Sequence, residues 1–445
     1  MTDLLAARSQ MAISLGFHIV FAEIGIGMPL MMVLAEWRWL RSGEPGYLEL
    51  ARRWAKGVAI LFAVGAVSGT VLSFELGLLW PGFMKFAGPI VGVPFSLEGF
   101  AFFTEAIFLG VYLYGWDRLS PRAHLLAGIV VAVSGAASAV FVLMVNAWMN
   151  TPTGVTMVGG TIAAVDPVAG MLSPAAFPQA LHMVLAAYAS TGLAVAGVHA
   201  WMLRRGAARG FHRRALIVAL WVGAPAAVLQ PLSGDISARL VAKTQPVKLA
   251  ALEGQFATER GAPLRIGGWP DARAATTRYA VEIPHGLSLL AYHEWNAEVK
   301  GLAAFPRPDW PPLAPVHVSF QIMVALGMAM ALVALWAAWV GWRKREIAEQ
   351  PWLLRALAVV APFGFIATEV GWMVTEIGRQ PWVVQGLLRT SDAVTPMPGL
   401  IVPLTVFTLL YLVLGAVVVA LIAGMVRDTA GEPAGDASEP LEATA

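Results

Sequence analysis

The sequence predicts an all-α polytopic membrane protein of nine transmembrane helices, with the N-terminus outside and the C-terminus cytoplasmic. Three observations carry this. Hydrophobic residues make up 58% of the 445 and charged residues only 13%, more apolar surface than a soluble chain of this length hides. Apolar runs of about 20 residues recur, each long enough to cross a bilayer. Lys and Arg gather in alternate connections, which sets the direction of each crossing.

Helices are expected near 11–36, 56–79, 95–115, 124–148, 178–203, 215–232, 316–342, 353–376 and 399–425. The first contains the apolar run 15–34, too long for a signal-peptide core and followed by no small-residue cleavage site, so it reads as a span. Gly/Pro clusters such as WPGFMKFAGPIVGVP punctuate the runs. Pro225 and Pro231 interrupt the sixth. Arg38, Arg41, Arg52, Arg53 and Lys56 follow the first run, and Arg118 and Arg122 the third. Arg204, Arg205, Arg209, Arg213 and Arg214 follow the fifth, and Arg343, Lys344, Arg345 and Arg355 the seventh. The alternate short connections hold only Lys85, Arg379 and Arg389.

The chain therefore divides into helices one to six (1–232), a long external loop (233–315), helices seven to nine (316–426) and a tail (427–445). The tail, ending GEPAGDASEPLEATA, is polar and rich in Pro and Gly, a composition expected to be disordered. The loop is polar and of mixed charge, a length and character that mark functional loops. The net charge of +2 is small and points to no nucleic-acid partner. Cysteine is absent, which removes disulfides, iron–sulfur clusters, covalent c-type haem and thiolate copper. Any redox centre must hang on His, Met or carboxylate.

Polar groups inside the apolar runs then stand out, because a lipid-buried acid costs roughly 2.5–3.5 kcal/mol on insertion scales. Helix one carries His18 and Glu23. Helix three carries Glu98 and Glu105, seven apart and so on one face, and helix eight carries Glu369 and Glu376 at the same spacing. Asn146, His182 and Met323 lie on helices four, five and seven. With the predicted orientation His18, Glu98, His182, Met323, Glu369 and Glu376 gather toward the outer side, with Glu105 deeper. Singly, each has a plainer explanation. A histidine near a helix end serves as an interfacial hydrogen-bonder, methionine fills cores, and Glu376 can pair with Arg379 three residues on. Together they suit haem ligation, proton carriage, or both.

Several stretches resemble subunit I of the cytochrome bd quinol oxidases: SLEGFAFFTEAIFLGVYLYGWDRLSP, FVLMVNAWMNTP, FQIMV and EVGWMVTEIGRQPW. The resemblance runs in order from the first helix to the ninth. It implies a haem-bearing catalytic subunit of a terminal respiratory oxidase in the bacterial inner membrane, oxidising quinol on the periplasmic side and reducing dioxygen to water with cytoplasmic protons. By matching motif, His182 and Met323 would be the axial ligands of a low-spin haem b. His18 and Glu369 would each hold one of two high-spin haems, a haem b and a haem d (or a third haem b). Glu376 would be held near Arg379 beside them. Glu98, Glu105, Ser138 and Asn146 resemble the proton-path positions.

The loop resembles the short type of quinol-binding loop. QPVKLAALEG supplies Lys248 and Glu253, and LSGDIS, with Asp235, opens it. Without the resemblance, Lys248 and Glu253 would simply decorate a short amphipathic helix. The resemblance further implies a haem-free second membrane subunit and admits a small single-helix accessory subunit. Three positions depart from the pattern or fall outside it. Gln321 stands where long-loop members have Arg, Phe365 stands where some members have Trp, and Glu23 has no role to carry over. Two other classes compete with the oxidase. A proton-coupled transporter would use the acids without haem. A cytochrome b-like quinol dehydrogenase would want paired bis-His haems, and only His18 and His182 lie well inside helices.

Overall fold

The computed structural model describes residues 2–159 and 161–430. Among them stand nine helices long and apolar enough to cross a membrane. Span one is Asp3–Ser42, span two Pro45–Leu79, span three Pro81–Tyr114 and span four Pro121–Asn150. Span five is Ala176–Arg204, span six Arg209–Thr244 and span seven Leu313–Trp342. Span eight is Pro351–Ile377 and span nine Ile401–Ala430. The tail from Gly431 onward, expected to be disordered, lies outside the described residues.

Local chemistry fixes several ends. The Thr2 hydroxyl caps span one by accepting from the Leu5 amide, and Gly43 closes it in the left-handed conformation. Pro45, Pro81, Pro121 and Pro351 each occupy the first turn of a span, where the missing N–H costs nothing. Spans five and six approach at their backbones: a Cβ on Gly192 would stand 2.5 Å from Gly223 Cα.

Two expectations about span ends are corrected. Span six does not stop at 232 but continues through Pro225 and Pro231 to Thr244. Each proline removes one backbone bond, yet the extension is held because Ala242 is buried with Leu249, Leu287 and Val299. The intervening segment thus begins at Gln245, and Asp235 lies on a helix rather than opening a loop. Span eight is not continuous. It breaks between Val360 and Phe363, where Pro362 can neither donate to the helix nor leave Ala361 free.

Apolar packing is concentrated at the two ends of the bundle. One cluster joins Met31, Leu50, Trp54, Tyr112, Val131, Leu193, Leu216 and Leu353, at the end carrying the Arg-rich connections. Another joins Ala7, Leu79, Phe83, Trp148, Val384 and Leu400 at the opposite end. The band between them, including residues 181–186 and 369–372, is only half-buried.

The segment 245–312 caps the second end. It contains a helix Pro246–Leu252 and a helix Gly286–Tyr292. Three short antiparallel strand pairs accompany them: Glu259–Arg260 with Glu298–Val299, Leu264–Ile266 with Val281–Ile283, and Trp269–Asp271 with Thr276–Arg278. Span seven anchors it. The Gln321 side chain accepts from the Gly267 amide at 2.9 Å and donates to the Arg265 carbonyl at 3.0 Å. His317, fully buried, reaches the Leu252 and Gly267 carbonyls.

Candidate functional site

The two intramembrane histidines are oriented by the same device. His18 Nδ1 lies 3.0 Å from Ser68 Oγ on span two. That hydroxyl donates its own proton to the Val64 carbonyl at 2.9 Å, so it can only accept from the ring. His182 Nδ1 lies 2.8 Å from Ser233 Oγ on span six, and Ser233 donates to the Gln230 carbonyl at 2.8 Å. A ring that donates from Nδ1 to such a hydroxyl keeps the Nε2 lone pair, the form that ligates a metal. The Gln230 amide nitrogen lies 3.3 and 3.1 Å from the two nitrogens of His182. Near-equal distances put it over the ring face, clear of the in-plane lone pair.

Small residues cradle these groups. A Cβ on Gly69 would come within 3.0 Å of His18 Cε1, and one on Gly16 within 3.0 Å of Glu369 Oε2. A Cβ on Gly371 would come within 3.1 Å of Met323 Sδ, and one on Gly234 within 3.5 Å of His182 Cε1. Glu369 Oε1 is buried without a hydrogen-bond partner among the described residues. An acid with an orphaned oxygen, two imidazoles with prepared nitrogens and a thioether, set in the half-buried band, fit haem iron as a donor set.

Glu23, unassigned from sequence, is fully buried and accepts from the Thr368 hydroxyl beside Glu369. Its carbonyl accepts from Thr191 at 3.0 Å. It ties spans one, five and eight together at the level of Glu369.

The polar positions of spans three and four separate into two groups. Ser138 donates to Glu98 at 3.2 Å, and Glu105 packs on Gly135, whose Cβ would meet Oε1 at 3.0 Å. Asn146 stands apart from this pair, donating instead to Glu376 at 2.6 Å. Glu376 also receives Arg379, as its spacing suggests. Asn150 donates to Asn146 Oδ1 at 3.0 Å, and Lys248 Nζ reaches Asn150 Oδ1 and the Thr375 carbonyl, each at 3.3 Å. One polar chain thus joins the capping segment to span eight.

Lys248 and Glu253 are buried and do not decorate a surface helix. Burial, aided by the Arg379 charge, lowers the Lys248 ammonium to about 7. Burial raises the Glu253 carboxyl to about 7 against the pull of Arg265, and Glu253 Oε2 has no partner among the described residues. Asp235 is not part of this group. It pairs with Arg239 on its own helix at 2.7 Å, about one-third exposed.

The sequence reading missed Ser68, Ser233, Gln230 and His317. The serines gave a faint signal, being short polar side chains in apolar helices whose histidine partners lie about 50 residues away in the chain.

Residues 6–430 match the family described as cytochrome bd terminal oxidase subunit I. A Bacillus subtilis (strain 168) protein assigned as a cytochrome bd menaquinol oxidase subunit I is 41% identical, over 94% of this chain and 95% of its own. The cytochrome bd ubiquinol oxidase subunit 1 of the same organism is 32% identical, over 95% of this chain and 93% of its own. The solved structure of bd oxidase from Geobacillus thermodenitrificans superposes with a TM-score of 0.90 at 38% identity, covering 96% of this chain and 99% of that one.

Proposed function

The chain belongs to the cytochrome bd terminal oxidase subunit I family, and from that premise we propose how its residues divide the work of a quinol:oxygen oxidoreductase. The family makes it a multi-pass membrane subunit of a haem-bearing terminal oxidase, with quinol and dioxygen as substrates and a second subunit as partner. The finer reading is that His182 and Met323 hold a low-spin haem b, and that His18 and Glu369 each hold one of two high-spin haems, a haem b and a haem d or third b. Bound haem supplies one-electron transfer and an open iron position for dioxygen.

The chain's own residues do the rest. Ser68 and Ser233 fix the tautomer and ring plane of the two histidines. Glu253, poised near neutrality, accepts a proton from a quinol hydroxyl, and Lys248 hydrogen-bonds a quinol oxygen. Glu376, Arg379, Asn146 and Asn150 position Lys248. Glu98, Ser138 and Glu105 carry protons toward the oxygen side from the basic end of the bundle, which the positive-inside rule assigns to the cytoplasm of a bacterial inner membrane. Quinol is then oxidised on the periplasmic side.

The observation that carries this reading is the shared serine device, which prepares both histidines as Nε2 ligands. Met323→Leu tests it. The low-spin signal should convert to high spin or disappear while the other haem signals remain. An unchanged low-spin spectrum removes Met323 as a ligand.

A further inference from the structure

A buried cluster at the basic end of the bundle has no part in the work described so far. Glu36 of span one is fully buried, and His124 of span four is 3% exposed. His124 Nδ1 lies 2.8 Å from Glu36 Oε1, and its Nε2 lies 2.9 Å from the Tyr112 carbonyl. The Tyr112 carbonyl takes the Nε2–H, and the contact with Glu36 needs one further proton, carried on Nδ1 or on the carboxyl. The Glu36 carboxyl and the Tyr112 hydroxyl are buried against each other. Glu36, His124 and Tyr112 thus form one buried hydrogen-bonding cluster that holds a shared proton. A buried ion pair is a poor device for stability alone, since apolar residues of like volume often serve as well.

Its position supplies the reason. Glu98, Glu105 and Tyr112 follow at intervals of seven along span three, on one helix face. Span four runs against that face: Gly128 packs on the Tyr112 ring, Gly135 on Glu105, and Ser138 bonds Glu98. The polar groups thus lie along one side of span three, with Leu109 and Val131 of the apolar cluster between Tyr112 and Glu105. From Tyr112 to Glu105 the helix makes two turns, about 10 Å. At the other end the His124 ring packs on Trp116 with centroids 4.0 Å apart and planes tilted by 37°, and Arg52 lies over Trp116. Arg52 pairs with Asp117, which is 93% exposed. Solvent therefore stands one aromatic layer away from the cluster.

We propose that the Glu36–His124–Tyr112 cluster is the proton-loading site through which protons enter toward Glu105 and Glu98. This rests on the oxidase reading above. The cluster gives its shared proton toward Glu105 across about 10 Å on water and is reloaded from solvent past Arg52 and Asp117. No net charge is left behind. The charged and titratable groups facing the cluster are Glu36, His124 and Tyr112 themselves, with Arg52 and Asp117 beyond Trp116.

The test uses Glu36→Gln and His124→Gln in the two-subunit holoenzyme. Haem spectra report assembly, anaerobic haem reduction by quinol reports the opposite end, and a pH dye reports proton uptake when reduced enzyme meets oxygen. The expected result is unchanged spectra, unchanged haem reduction, and uptake slowed about tenfold or more, with the double variant no slower than either single one. A merely structural pair would not separate uptake from haem reduction. Wild-type uptake in spectrally intact variants overturns the proposal. If His124→Gln does not assemble, the near-isosteric Glu36→Gln decides the matter by the same two readouts. Failure of wild-type enzyme to take up protons on oxygen addition would sink the oxidase reading itself, and the proposal with it.

Discussion

Single hydroxyls decide what the two histidines can do. Removing the acceptor at Ser233 or Ser68 frees the ring to change tautomer, and loss of such an outer hydrogen bond typically costs about 10- to 100-fold in metal affinity. Ser233→Ala should therefore lose low-spin haem on dilution or shift its potential, read by redox titration; an unaltered titration would mean the serine orients nothing. Lys248 and Glu253 make a second residue-scale prediction. A group that accepts a proton works above its pKa, and an ammonium that donates a hydrogen bond works below its own. With burial bringing both to about 7, quinol turnover should be bell-shaped around pH 7. Glu253→Gln should lower turnover with haem content intact and erase the acid limb; retention of that limb would remove Glu253 as the proton acceptor. The stability signs oppose each other. Glu253 favours the docked segment below the ordinary carboxylate range, and this is lost as pH rises through about 7. Lys248 favours it above the ordinary ammonium range, and this is lost as pH falls through about 7. His18, His182, Met323 and Glu369 stood out in the sequence because each is costly or unusual in an apolar helix. Ser68 and Ser233 did not, because a serine in a span costs little and its partner is set only by packing.

Helix existence was legible throughout, since nine apolar runs need no tertiary information to be seen. Helix ends were less so. Pro225 and Pro231 suggested a stop that burial of Ala242 overrides, and this moved Asp235 from loop to helix. Pro362 had the opposite effect, breaking a run that hydropathy alone joins. Asn146 is separated from Glu98 and Ser138 for an element-scale reason. Asn146 lies eight residues beyond Ser138, and by that height span four has left Glu98 and faces Glu376. The contact of spans five and six turns on Gly192 and Gly223, whose backbones leave no room for a side chain. Gly223→Val should cost about 1–3 kcal/mol by overpacking, seen as a lower thermal midpoint in detergent. Because Ser233 rides on span six, the His182 site should loosen with it. An unchanged midpoint would mean the two backbones separate without penalty.

For the whole molecule, division of packing into two end clusters with a half-buried band between them is the feature that ties fold to function. The band holds His18, His182, Met323 and Glu369; the polar chain Lys248–Asn150–Asn146–Glu376 lies on one side of it, and Glu98, Glu105, Tyr112 and His124 lie in order toward the basic end. Hydropathy and charge give an expected direction for the bundle, but not this split, which depends on which apolar residues meet. If the band is a haem site with one saturated and two open irons, absorption spectroscopy will show it. The measurement is a dithionite-reduced minus oxidised optical spectrum of the purified two-subunit protein, followed by carbon monoxide. Low-spin b bands indifferent to carbon monoxide, together with a carbon-monoxide-sensitive high-spin signal, are the predicted result, and a red-shifted chlorin band would specify haem d. A folded, partner-bound preparation with no haem signal would contradict the haem assignment altogether.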